Sequence, residues 1–151
     1  MRPLALAPML SLTAALAAAP ALADEAWETN LGYAIWEDTR GPDAVLRLYQ
    51  GEGTEGPVTR LIVPGLGRDT GGGRGSYHAL WLSSEGETAC AVEVIDPMDG
   101  TKTPYWGSAI LTFVNPGFPS DWAGVYGDCL AAPTLPLQAR ALVGEARNRA
   151  P

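Results

Sequence analysis

Histidine occurs once and cysteine twice in these 151 residues, and that scarcity excludes much metal and nucleophile chemistry. A zinc or copper site needs several imidazole or thiolate ligands, and His78 is the only imidazole on offer. A hydrolytic triad has no better support: there is no G-x-S-x-G elbow, and Ser76 and His78 share one strand face without a third partner. The chain also has no G-x-x-x-x-G-K-[ST] phosphate loop. Asp96-Pro-Met-Asp-Gly100 misses the spacing of a calcium loop, which wants ligands at positions 1, 3 and 5, and reads as a turn. The 17 acidic residues allow many carboxylate pairs of the kind that cleaves glycosidic bonds, but none sits where a raised pKa is legible. The expectation is therefore of no catalytic residue, no metal and no cofactor.

Positive charge is sparse as well. Ten basic residues face 17 acidic ones, for a net charge of −7, and one of the ten, Arg2, lies in the N-terminal leader that no acid shares. This balance argues against nucleic acid and against an anionic membrane surface, both of which demand a basic patch.

Long apolar runs are missing apart from the first 23 residues. There Arg2 gives a short positive start, Leu4 to Leu16 an apolar core, and Ala21-Leu22-Ala23 a small-x-small cleavage site, which together read as a signal peptide over residues 1–23. Pro3, Pro8 and Pro20 punctuate the segment, and its apolar core falls short of the roughly 20 residues of a membrane span. The expected product is a periplasmic or secreted protein beginning near Asp24, with no membrane span after cleavage. In such a compartment Cys90 and Cys129, which lack redox C-x-x-C spacing, are expected to form one structural disulfide.

What the chain does contain is strand signal. Leu31 to Glu37 and Ala44 to Gln50 flank the turn Thr39-Arg-Gly-Pro-Asp43, and Ala44, Leu46 and Leu48 alternate with Val45, Arg47 and Tyr49. Residues 24–30 read as a lead-in, and Val58 to Pro64 as a further strand. Ser76 to Leu82, Ala89 to Ile95 and Tyr105 to Val114 follow as three strand-like runs separated by turns, which predicts a meander. Asn115 to Cys129, dense in Pro and Gly, reads as a loop with at most one short strand. From residue 134 the spacing of Leu135, Ala139, Leu142, Val143 and Ala146 suits an amphipathic helix or a partly disordered tail over 134–151. The fold class is all-β or β-rich α+β. The expected architecture is a single domain over 24–133, a small antiparallel sandwich or open barrel of six to seven strands with that helix or tail.

Candidate binding residues come from two features. Gly65 to Gly75 holds six glycines and two arginines in eleven residues, which reads as a mobile loop whose Arg68 and Arg74 can donate to an anionic ligand. Five tryptophans and five tyrosines can fill a small core or form an exposed platform. Tyr77 and Trp81, on one face of the strand after the glycine-rich loop, and Trp106 complete the candidate set. The functional expectation is an exported, non-catalytic binding module for a protein partner or an envelope glycan. The alternatives are a small secreted hydrolase-like enzyme and a structural envelope component.

Overall fold

The computed structural model describes residues 25–51 and 56–143. The strands in order are β1 (Ala26–Thr29), β2 (Gly32–Arg40), β3 (Asp43–Gln50), β4 (Thr59–Val63), β5 (Ser76–Ser83), β6 (Val94–Ile95), β7 (Lys102–Thr103), β8 (Tyr105–Phe113), β9 (Trp122–Asp128) and β10 (Leu135–Ala141). Eight of them close an antiparallel barrel in the order β1-β10-β9-β8-β5-β4-β3-β2, and β6 pairs with β7 outside it. An eight-stranded barrel has an interior just wide enough for side chains to fill or for one small ligand.

Alternation places Ala34 and Trp36, Ala44 and Leu46, Leu61 and Val63, Ala109, Leu111 and Phe113, and Leu137 and Ala139 inside, all buried. The two ends of the interior differ. At the end holding the N-terminus of β1 and the C-terminus of β8, Trp27 packs edge-on against Phe113, Phe118 and Trp122 at centroid distances of 5.9–6.4 Å. Trp27 also donates its indole N–H to the Ser120 carbonyl at 2.8 Å. Trp122 Nε1, in contrast, has no hydrogen-bond partner among the described residues. Large rings fill this end of the barrel.

The closed barrel of eight strands replaces the expected sandwich or open barrel of six to seven. The helix expected over 134–151 is corrected within the described residues: Leu135–Ala141 is a strand. Its Leu137 and Ala139 face inward at strand spacing, and it pairs with β9 on one side and β1 on the other. Where β1 ends, the Asn30 side chain extends the ladder by accepting from Gln138 N at 2.8 Å and donating to the Pro136 carbonyl at 3.1 Å. Closure explains the outcome, since a helix here would leave two long strand edges unpaired. Residues 144–151, like the expected signal peptide, lie outside the described residues.

Three further expectations are corrected. The lead-in contains β1, which buries Trp27 completely. The segment 115–129 contains β9, a full wall strand paired on both sides. Gly124 permits this, because a Cβ there would sit 2.1 Å from the Ile110 carbonyl oxygen. Finally, Ala89 to Ile95 is no meander strand: β5 pairs directly with β8, and residues 84–104 form an excursion outside the barrel. That run offers no apolar face to bury, its small Ala89 and Ala91 being exposed and Val92 and Ile95 more than half exposed.

Arg60 on the outer face of β4 holds the excursion in place. Its guanidinium bonds Asp96 and, at 3.0 Å, Asp99, while Glu37 takes its Nε at 3.1 Å. Burial works against this charge, but the hydrogen bonds to Asp99 and Asp96 outweigh it and raise the guanidinium pKa further. Arg40 adds a bond to the Pro97 carbonyl at 2.8 Å. The Cys90–Cys129 disulfide, closing a separation of 39 residues, joins the excursion to the turn after β9.

Candidate functional site

Among the described residues the end of the barrel opposite the aromatic plug is open, and its side chains leave a cup of about 510 Å³. Its wall is built by strand alternation near the open ends of five strands. β3 contributes Leu48, β4 Thr59 and Leu61, β5 Trp81 and Ser83, β9 Tyr126, and β10 Leu137. Leu31 from the β1–β2 turn, Tyr105 at the start of β8, and Gln50, Glu85, Glu87 and Asp128 form the mouth. The volume lies in the range of pockets that hold small ligands, and its mix of apolar wall with a few polar groups is the usual composition of such pockets.

Trp81 is the largest group of the wall, and its position is dictated by its neighbours. Its indole N–H donates to the Gly127 carbonyl at 2.9 Å, across β8. The strand between them has to be bare at that level: a Cβ on Gly107 would lie 2.6 Å from Trp81 Nε1 and 1.9 Å from the Gly127 oxygen. With its donor used, the indole presents only ring surface to the cup. Polar groups of the wall are paired as well, Thr59 donating its hydroxyl to Ser83 Oγ at 2.9 Å and Thr103 donating to the Ser83 carbonyl at 2.6 Å.

The excursion shapes the mouth. Gly86 packs so closely on the Tyr105 ring that a Cβ there would approach it to 2.9 Å. Cys90 N donates to the Pro104 carbonyl and Cys129 N to the Trp106 carbonyl, at 2.8 and 2.7 Å, so the disulfide lies beside the start of β8. The carboxylates of Glu85, Glu87 and Asp128 form no ion pair with a described residue, whereas Glu25, Glu37, Asp38, Asp96 and Asp99 are all matched to arginines elsewhere.

Of the residues singled out in the sequence, Trp81 alone lines the cup. Tyr77 is on the same strand face but four residues nearer the plug, where it packs edge-on against Phe113 and donates its hydroxyl to Asp69. Burial, and then this bond, push its phenol pKa up. The loop from Gly65 to Gly75 also lies at the plugged end, so Arg68 and Arg74 are not brought to Trp81. The mobile-loop reading is corrected: Leu66 is fully buried within a 3₁₀ turn, Leu66–Arg68. The Arg74 side chain is wholly buried, bonded in a two-pronged pair to Glu25 and stacked on Trp36 and Phe113. Arg68 is exposed. Trp106 faces outward beneath the excursion, donating its N–H to the Val92 carbonyl at 2.7 Å. His78 is exposed on the outer face of β5.

The members of the cup not singled out by sequence include Tyr105, Tyr126, the leucines and the three acids of the mouth. Alternation on β9 would have paired Tyr126 with Trp122 on one face had that segment been read as a strand. Glu85 and Glu87 carried only the signal of a polar turn. Among the described residues no group of three or more His, Cys, Asp or Glu is placed to hold a metal ion, and no helix is long and apolar enough to cross a membrane. The disulfide is compatible with an oxidising compartment. No family model, curated protein or solved structure matches this chain.

Proposed function

We propose that the protein is an exported, non-catalytic binding module whose site is the open end of the barrel. The single observation that carries this reading is the asymmetry of the interior: one end packed with interlocking aromatic rings, the other left as a cup of about 510 Å³ with an apolar wall and an open mouth. A core selected for stability alone would close such a space, because each unfilled volume forfeits dispersion contacts and burial. The fixed indole of Trp81 and the rings of Tyr105 and Tyr126 suit a compact group with apolar faces. A sugar ring of an envelope glycan or a side chain of a partner protein could enter by that group. Rigid walls favour affinity, since little ordering is required on binding.

The direct test uses a neutral fluorescent apolar probe, N-phenyl-1-naphthylamine, titrated into the mature disulfide-bonded protein. One saturable site per chain is expected, lost when Leu48→Trp fills the cup from its wall without lowering the melting temperature. The same probe should displace material captured from envelope extract. Absence of saturable binding, or binding indifferent to Leu48→Trp, would overturn the reading.

A further inference from the structure

We infer that the cup selects a positively charged occupant: a small organic cation, an amine or quaternary ammonium carried on an apolar body. This rests on the binding reading above and specifies the chemistry of the same site. Three carboxylates, Glu85, Glu87 and Asp128, stand at the mouth, and among the described residues no basic one lines it. Among the described residues none of the three is in an ion pair, whereas Arg40, Arg47, Arg60 and Arg74 are committed to acids on the outer wall or at the plugged end. Glu28, Asp43, Asp69, Glu93 and Asp121 are likewise outside ion pairs, but among the described carboxylates only Glu85, Glu87 and Asp128 line the cup, where no described basic residue offsets them. Charges of one sign around a low-dielectric concavity focus the field there and concentrate the opposite ion.

The wall complements the rim. Trp81, Tyr105 and Tyr126 offer three aromatic rings to the cavity, and the Trp81 N–H is already satisfied by Gly127, so its face is what remains for an occupant. An ammonium group is attracted to such faces by the ring quadrupole, and aromatic cages are a recurrent solution for quaternary ammonium ligands. An anion would meet carboxylates and ring faces, both of which repel it. A neutral sugar could use the rings but would gain nothing from the acids. The leucines of the wall, Leu48, Leu61 and Leu137, favour an apolar body behind the charge.

Isothermal titration of the mature protein with three probes of one shape, 4-phenylbutylamine, 4-phenylbutanol and 4-phenylbutyrate, tests the inference. The amine should bind at least tenfold more tightly than the alcohol, the carboxylate more weakly than either, and the advantage of the amine should shrink in high salt. Glu85→Gln combined with Glu87→Gln should remove most of that advantage. Glu28→Gln combined with Glu93→Gln, which removes the same charge from exposed positions outside the cup, should leave it in place. Equal affinities for the three probes, or equal effects of the two double variants, would overturn charge selection while leaving the cup as a binding site. Failure of all three probes and of N-phenyl-1-naphthylamine would remove the site itself.

Discussion

Two side chains with similar prospects in the sequence end in opposite roles. Trp81 is exposed to the cup because glycine at 107 lets its indole reach across β8 to Gly127. Arg74, which looks like a ligand donor in a glycine-rich loop, has its side chain wholly buried and bonded to Glu25, with its guanidinium over Phe113 at 5.3 Å and over Trp36 at 5.6 Å. Removing one partner of such a pair leaves the other charge in a poorly solvated place, a loss of about 3 kcal/mol or more. Arg74→Ala should therefore lower the melting temperature on the order of 10 °C, by the usual scaling for a domain of this size. Arg68→Ala, at an exposed position, should leave it within a degree or two. Thermal unfolding followed by circular dichroism distinguishes them; equal, small shifts would show that the Arg74 pair adds nothing to the fold.

Among the elements, the excursion of residues 84–104 matters most to the site, because it supplies Glu85, Gly86 and Glu87 to the mouth while its β6–β7 hairpin is clamped to β4 by Arg60. The clamp is pH-dependent through Asp99. Hydrogen bonds from Thr101, side chain and backbone, and then from Arg60 hold its carboxyl pKa down at about 2, below its ordinary value of 3.8. A carboxylate with a depressed folded pKa contributes stability above its unfolded value, and that contribution disappears as pH falls toward the folded one. Between about pH 4 and pH 2 the excursion should loosen as Asp99 takes up a proton. Amide hydrogen exchange over residues 94–103 should rise across that window in the wild type, after correction for the intrinsic rate. In Asp99→Asn it should already be raised at pH 5 and respond less to acid. A pH response identical in both proteins would assign the effect to other carboxylates.

For the protein as a unit, barrel closure is the decisive event. β10 has sequence features of an amphipathic helix, yet it is the one strand that joins β9 to β1. A chain ended at Pro133 would expose two strand edges and open the core around Leu137 and Ala139. Such a truncation should fail to give a stable monomer, whereas a truncation after Val143, which keeps β10 whole, should fold. Size-exclusion chromatography with near-ultraviolet circular dichroism reads the difference. A folded monomer ending at Pro133 would show that the other seven strands suffice.

The residues themselves carry the β class, the single disulfide and five of the eight barrel strands: β2, β3, β4, β5 and β8 follow from alternation and from turns rich in Pro and Gly. These are local signals, set by side-chain period and by the few residues that accept turn geometry. Pairing is not local. That β5 meets β8 and leaves Ala89 to Ile95 outside depends on which run has an apolar face to bury. That β9 serves as a wall depends on close approach at Gly124, visible only when Ile110 is beside it. Of the cup, only Trp81 was legible in the sequence. Trp81 stood out as an aromatic on a strand, but its companions Tyr126, Tyr105, Glu85 and Glu87 lie on other strands and in a turn, with no spacing that joins them. They meet because closing eight strands brings alternate residues to one axis, and because the large rings settle at the opposite end and leave this one open.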